Sequence, residues 1–163
     1  MKKIIFGLLI SASALSVSAQ TFKSFQFSVG PELGIPTGNF NIVYTAAIGA
    51  TAQADYMVTS DAAITANTGI IEFLGKKITG TNLKYQSVGL IPLLAGVKYY
   101  FIPKLYGSAQ LGATFSVQSN GKTTFTYAPG IGYKVNDKID ALLKYTGYSG
   151  NGGAIGVRVG FTF

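Results

Sequence analysis

The chemistry open to this chain is limited first by the residues that it lacks. Its 163 residues contain no cysteine, no histidine and no tryptophan, and only 12% of them are charged. Without cysteine there is no disulfide, thiolate metal ligand or thiol nucleophile, and without histidine the usual general base and metal ligand is missing. The chain is too apolar for intrinsic disorder. We therefore expect no catalytic residue, no bound metal and no cofactor.

The first nineteen residues have the layout of a secretory signal peptide. Lys2 and Lys3 form a short basic start, an apolar stretch covers residues 4–15, and small residues precede a cleavage position after Ala19. The apolar stretch is too short for a membrane-spanning helix, which disfavours an uncleaved anchor. We predict a signal peptide at 1–19 and a single domain at 20–163. Removing both lysines lowers the formal charge from +7 to +5, and the remaining basic residues are scattered, so nucleic acid is not an expected partner.

The rest of the chain alternates between apolar and small or polar residues with the period of a β-strand. The last segment is the clearest, with Ile155, Val157, Val159, Phe161 and Phe163 on one face. Eight strands are predicted, at about 25–35, 44–57, 62–73, 85–101, 105–117, 124–135, 139–148 and 155–163. In the fourth strand an apolar run breaks the alternation, and we expect a bulge or a register change near Pro92.

Short and longer connections alternate between these strands. Residues 58–61, 102–104 and 136–138 are tight turns, whereas the other four connections are somewhat longer and rich in Gly, Asn, Lys and Thr. This order is typical of an up-and-down membrane barrel. We predict an all-β fold, a closed eight-stranded antiparallel up-and-down transmembrane barrel, with both ends of the chain on the periplasmic side.

Alternation alone does not tell whether the apolar face points outward, as in a membrane barrel, or inward, as in a soluble lipocalin. Three features favour the outward arrangement. The polar face has few charges for a solvent-facing exterior, each strand is long enough to cross a bilayer, and aromatic residues gather near the strand ends in two belts. The predicted belts comprise Phe25, Tyr56, Tyr99, Phe101, Tyr133, Phe161 and Phe163 on one side, and Tyr44, Phe115, Phe125, Tyr127 and Tyr145 on the other.

In these features the chain resembles the small eight-stranded outer-membrane barrels, the family of the OmpA transmembrane domain and OmpX. The last strand, with Val157, Val159, Phe161 and the terminal Phe163, resembles the signal read by the barrel assembly machinery. The run 91–101 looks like a segment common in outer-membrane β-barrel domain proteins. The resemblance covers the whole chain after the signal peptide and implies the outer membrane of a Gram-negative bacterium. The outer connections are shorter than those of adhesive members, and we expect no peptidoglycan-binding domain after the barrel.

Seven charged residues lie on the predicted inner face, four of them positive and three negative. A lumen of eight strands is just wide enough for its own side chains, and buried charges must be paired or hydrated. We expect an internal ion-pair network in which Glu32 reaches Arg158 on the adjacent last strand. Its members are Glu32, Asp55, Lys98, Lys134, Asp140, Lys144 and Arg158. The alternatives are a filled core and a narrow gated path, for which loss of Glu32 should raise conductance.

The expected function is non-enzymatic. The leading interpretation is a structural or interaction protein, or an accessory subunit of an envelope complex, with a narrow channel and a surface adhesin as alternatives. Small residues on strand two form a flat patch where another barrel could pack. Expected partners are outer-membrane lipid, the barrel assembly machinery, other outer-membrane proteins, and lipopolysaccharide. Four lysines on outer connections are candidates for lipopolysaccharide phosphates: Lys76, Lys77, Lys84 and Lys122.

Overall fold

The computed structural model describes residues 25–78, 80, 83–118, 121–150 and 152–163. The predicted signal peptide at 1–19 and its cleavage position lie outside the described residues. Among the residues described, no helix is long and apolar enough to cross a membrane.

The described chain is almost entirely strand. The elements in order are β1 Phe25–Thr37, the one-turn helix α1 Phe40–Val43, β2 Tyr44–Met57, β3 Ala62–Gly75, β4 Val88–Ile102, β5 Leu105–Ser116, β6 Thr124–Lys134, β7 Ile139–Tyr148 and β8 Gly152–Thr162. All eight predicted strands are present, each within a few residues of its predicted bounds.

The eight strands close into one antiparallel barrel in which each strand pairs with its neighbours in sequence and β8 pairs with β1. Following cross-strand partners once around the barrel from Phe25 leads back to Ile35, a stagger of ten residues. Strand number and stagger together fix the diameter, and eight strands leave room only for side chains. The predicted fold is confirmed. We call the end with the three short turns the turn end, and the other the loop end.

The apolar face of the strands points away from the lumen. Leu33, Leu93 and Leu111 are each 58–62% exposed on the outer wall. The lumen is lined instead by Ser, Thr, Gln, Asn and charged side chains, most of them buried. A wall of exposed Leu, Ile, Val and aromatic residues around a polar interior is the membrane-barrel arrangement, opposite to that of a lipocalin. The orientation predicted for the apolar face is confirmed.

Tyr44 departs from the predicted belt at the loop end. The register of β2 with β3 shifts between Tyr44 and Ala46, and the extra residue, Thr45, turns Tyr44 toward the lumen. A bulge of this kind reverses the face on which a side chain lies. Tyr44 packs with Phe40 of α1 instead of joining the outer belt, so this assignment was wrong.

The bulge expected near Pro92 is also absent from the described strand. Pairing of β4 with β5 runs through Pro92, which lies opposite Thr114. Pairing with β3 is interrupted there but keeps one register, with Leu93 opposite Thr68 and Leu90 opposite Ile71. The apolar run reflects an inner face that is itself apolar at the loop end of the barrel, not a slipped strand. The shift in β4 lies instead at the turn end, between Tyr100 and Ile102.

Candidate functional site

Six of the seven charged residues predicted for the lumen form ion pairs inside it. Each of the six is at most 9% exposed. The pairs and their N–O distances are Lys98–Asp55 at 2.5 Å, Lys144–Glu32 at 2.9 Å and Arg158–Asp140 at 3.9 Å. Burial of one unpaired charge costs several kcal/mol, and pairing within the narrow lumen offsets that cost.

Arg158 lies at the centre of this arrangement and is fully buried. Its Nε donates to Thr51 Oγ1 at 2.9 Å, and its Nη2 donates to Ser28 Oγ at 2.9 Å and to the Ser28 carbonyl at 3.2 Å. Glu32 lies opposite Arg158 in the register, as expected, but its ion-pair partner is Lys144. The Thr51 hydroxyl, which donates to Glu32 at 3.4 Å, connects the two. The direct Glu32–Arg158 pair expected from the sequence is therefore corrected to one bridged by Thr51.

Two tyrosines that the sequence did not mark as site residues complete the network toward the turn end. Tyr106 is fully buried and donates to Asp140 Oδ2, and the Lys98 ammonium lies 4.4 Å from the centre of its ring. Lys134, the seventh predicted charge, is half-buried, with its ammonium 5.1 Å from the centre of the Tyr100 ring. The alternating pattern places both tyrosines on the inner face, but it does not predict which charged side chains they contact.

Uncharged polar side chains fill the space between the ion pairs. Gln110 donates through Nε2 to Thr65 Oγ1 at 2.8 Å and to Gln53 Oε1 at 3.3 Å. Gln53 in turn donates to Asp55 Oδ1 at 2.9 Å. These bonds join β2, β3 and β5 across the interior and give the middle of the lumen a connected polar core.

An apolar cluster closes the lumen at the loop end. Phe73 is fully buried there with Tyr148, and α1 places Phe40 over both. The Phe40 ring stacks on Tyr148 at 5.3 Å between centroids and meets Phe73 edge-on at 5.1 Å. The inner-face residues of this cluster are Ala47, Ile71, Phe73, Leu90, Tyr148 and Ala154. We call this cluster together with Phe40 the aromatic seal.

The aromatic seal and the ion pairs leave almost no free space between them. The cavity that separates Glu32 from Phe73 measures about 10 Å³, at or below the ~10–15 Å³ that one water molecule needs. Among the larger cavities, one of 430 Å³ lies beside Tyr100 and Lys134 at the turn end, and one of 310 Å³ lies beside Phe40 at the loop end. Within the described residues, the middle of the lumen is filled.

The predicted assembly-signal residues share the outer wall of the last strand. Val157 and Phe161 are 44% and 45% exposed, and Phe163 is 80% exposed at the end of the chain. The amide of Phe163 donates to the Phe27 carbonyl at 3.0 Å, which extends the β1–β8 pairing to the last residue. Its function as a signal remains a prediction.

The four lysines predicted on outer connections do not form one group. Three of them lie on the β3–β4 connection, where Lys77 and Lys84 face each other across an antiparallel bridge and the Lys76 ammonium donates to the Asn41 carbonyl at 3.2 Å. Lys122 lies apart on the β5–β6 connection, beside the 310 Å³ cavity. In the described residues no group of three or more acidic side chains could hold a metal.

Comparison with models of protein families identifies the family of this chain. The model of the outer membrane protein beta-barrel domain matches residues 7–163. The chain belongs to this family. A comparison with curated proteins found no match.

Solved structures similar to this family member share its barrel at low sequence identity. Ail of Yersinia pestis in a phospholipid bilayer nanodisc is 16% identical, with a TM-score of 0.60 over 86% of this chain and 99% of that one. The crystal structure of Ail, the attachment invasion locus protein, gives 15% identity and a TM-score of 0.52, covering 86% and 97%. A de novo designed transmembrane β-barrel is 14% identical, with a TM-score of 0.55, covering 88% and 98%. At these identities the likeness is one of fold.

Proposed function

We propose that this protein is a non-enzymatic, non-conducting barrel of the Gram-negative outer membrane. It reaches that membrane after cleavage of its signal peptide near Ala19, and it works through its surfaces as a structural or interaction protein or an accessory subunit. The observation that carries the proposal is the filled lumen, in which the ion pairs and the aromatic seal leave a cavity of about 10 Å³. The outer wall and the loop end are therefore the surfaces that it offers to partners.

The outer wall has one flat region on β2. Ala46, Ala50, Ala52 and Ala54 point outward there, and small residues let another membrane element approach closely. This wall is the surface that we assign to a partner barrel of the same membrane.

Native co-purification tests the interaction role. A tag in the exposed turn at Ser60 leaves the last strand free, and membranes are extracted in mild detergent. The proposal predicts a stoichiometric membrane partner that is lost with Ala52→Phe and kept with Ala109→Phe, a matched change on the exposed outer face of β5. A lone barrel, or equal capture by both variants, would contradict it.

Single-channel recording in planar bilayers tests the alternative of a channel for water or small solutes. The filled lumen predicts no unitary conductance for the wild type, nor for Glu32→Gln, because the aromatic seal lies beyond the Glu32–Lys144 pair. Conductance that rises in Glu32→Gln would favour the gated path instead.

The loop end favours a second interaction, with anionic glycolipid or polysaccharide. Lys77 and Lys84 face each other in an exposed hairpin, and like charges placed directly opposite repel. A phosphate or sulfate between them would relieve that repulsion. Lipopolysaccharide of the same membrane is the first ligand that we assign, with Lys76 and Lys122 as further contacts.

The alternative is a surface adhesin, in which the same lysines would bind a sulfated polysaccharide. Ail has been solved in complex with the heparin analogue sucrose octasulfate. Binding to immobilised lipopolysaccharide and to heparin separates the two ligands. The double variant Lys77→Gln/Lys84→Gln is compared with the wild type and with Lys104→Gln at the turn end.

A further inference from the structure

A cavity inside the mouth of the barrel lies beside Lys122, one of the lysines assigned above to lipopolysaccharide, but the cavity itself has no part in the proposed function. It measures 310 Å³ and lies at the loop end, between α1 and the β5–β6 connection. Proteins commonly hold small ligands in cavities of about 300–1,000 Å³, and barrel mouths are a frequent place for them. Leu90, Thr114 and Tyr148, which line it, all face the lumen. The cavity therefore opens to the solvent at the mouth and not to the lipid around the wall.

The floor and walls of the cavity are apolar and already in place. Val88 and Leu90 come from β4, Phe40 and Tyr148 come from the aromatic seal, to which Leu90 also belongs, and Tyr44 packs against it. The Phe40 ring is fixed by its stack on Tyr148 and by its edge contact with Tyr44 at 5.4 Å. A ligand with an apolar or aromatic body would meet a preformed surface, so little ordering would oppose its binding.

The rim of the cavity is polar and is shaped by the β5–β6 connection. Gln118 donates through Nε2 to the Ser87 carbonyl at 3.1 Å, and its own carbonyl accepts from the Gly121 amide at 2.8 Å. A Cβ at Gly121 would lie 2.2 Å from the Cβ of Ser116, so only glycine fits this close to Ser116. The fold places Lys122 on the rim.

Lys122 decides the charge that the cavity accepts. Among the lining residues, all of which the structure describes, it is the only charged side chain. Hydroxyls of Ser116, Thr114 and Thr124 lie around the same space and can donate to an anion. The cavity thus combines apolar walls with one positive charge at its rim.

We infer that the mouth cavity binds a small amphiphilic anion. Its apolar or aromatic part would lie against Leu90 and Tyr148, and its carboxylate, sulfonate or phosphate would meet Lys122. The ligand would arrive from the water outside the cell or as part of a surface glycolipid.

The test uses the whole protein in nanodiscs of zwitterionic phosphatidylcholine, with para-tert-butylbenzoate as the probe. Amide NMR signals of Gly121, Lys122 and Thr124 are followed during titration. We expect saturable shifts confined to the mouth, and weaker binding of the neutral analogue para-tert-butylbenzamide. Lys122→Gln should weaken binding of the benzoate by about fivefold, the worth of one partly exposed charge contact, while Lys104→Gln at the turn end should leave it unchanged.

Either of two results would overturn the inference: no saturable shift in the wild type, or equal affinity in the wild type and Lys122→Gln. Where saturable binding is found, a second titration in nanodiscs that contain lipopolysaccharide identifies the source of the ligand. Competition would assign the site to the glycolipid, and undiminished binding would assign it to a water-borne anion. Neither titration depends on a protein partner, so a negative result here does not affect the outcome of the co-purification experiment.

Discussion

Arg158 joins parts of the barrel that are far apart in sequence. It belongs to the last strand, yet its hydrogen bonds reach Ser28 on β1 and Thr51 on β2, and its ion pair reaches Asp140 on β7. No solvent reaches it. One side chain thus holds together the two strands whose pairing closes the barrel and the strands on either side of them.

Removal of this charge should be costly. Arg158→Gln leaves the buried Asp140 carboxylate without its cation, and breaking a buried pair in this way costs about 3–5 kcal/mol. We expect that loss in the free energy of unfolding, measured by urea titration in phosphatidylcholine vesicles with tyrosine fluorescence. Lys134→Gln, which removes a half-buried cation at the turn end, should cost less than ~1 kcal/mol. Equal losses in the two variants would contradict the role given to Arg158.

Gly30 is a residue whose size the β1–β8 contact restricts. A Cβ at this position would lie 1.7 Å from the backbone oxygen of Val159, and a backbone atom has no room to yield. Gly30→Ala should therefore hinder closure and lower the fraction of folded, heat-modifiable barrel on a cold SDS gel. Gly34→Ala is the matched control on the same strand, because its Cβ would meet only ordinary contacts of 3.4–3.6 Å. A normal yield of folded Gly30→Ala would show that the strands can separate locally.

Among the elements, α1 is the one that the strand pattern did not reveal. The predicted connection contains a single helical turn whose Phe40 covers the loop end of the lumen. Its last residue is bonded to the adjacent hairpin, because the Lys76 amide donates to the Val43 carbonyl at 2.8 Å. The element is thereby a fixed part of the aromatic seal.

A test of this element compares two of its side chains. Phe40→Ala removes three aromatic contacts and should cost about 2 kcal/mol, below the ~3–5 kcal/mol of a fully buried phenylalanine. Ile42→Ala, where the side chain is 66% exposed, should change the free energy of unfolding by less than about 0.5 kcal/mol. Urea titration of both variants in the same vesicles measures the difference. If Phe40→Ala cost no more than Ile42→Ala, the seal would not depend on Phe40.

Strands were predictable here because alternation is a local signal. Each strand repeats its pattern over about ten residues, so its bounds follow from the sequence to within a few residues, and so does the face on which each lumen charge lies. The choice of partner is not local. Glu32 pairs with Lys144 and not with the residue opposite, because side chains in a narrow lumen reach across several strands. Tyr44 was also assigned to the wrong face, because strict alternation does not reveal the one extra residue that turns its side chain toward the lumen.

At the scale of the whole molecule, the barrel has two chemically different ends. The loop end carries the lysine hairpin and the mouth cavity, while the turn end carries both the first described residue and the last. The chain has no native cysteine, so single cysteines can report which end faces the outside of the cell. Lys84→Cys should react with a membrane-impermeant maleimide on intact cells. Ser60→Cys should react only after the outer membrane is permeabilised, and the reverse pattern would invert the proposed orientation.

The position of Arg158 also orders events in time. The last strand brings the cation, but its partners lie on β1, β2 and β7, so the central network is completed only when the final segment docks on the first. Until that moment each of the two open edges has unpaired backbone groups, and the interior acids and bases must remain hydrated. A partly closed barrel therefore bears both costs, the unpaired backbone groups and the hydrated interior charges. We expect the last step of biogenesis to be cooperative, with the interior hydrated and mobile until the last strand pairs with the first.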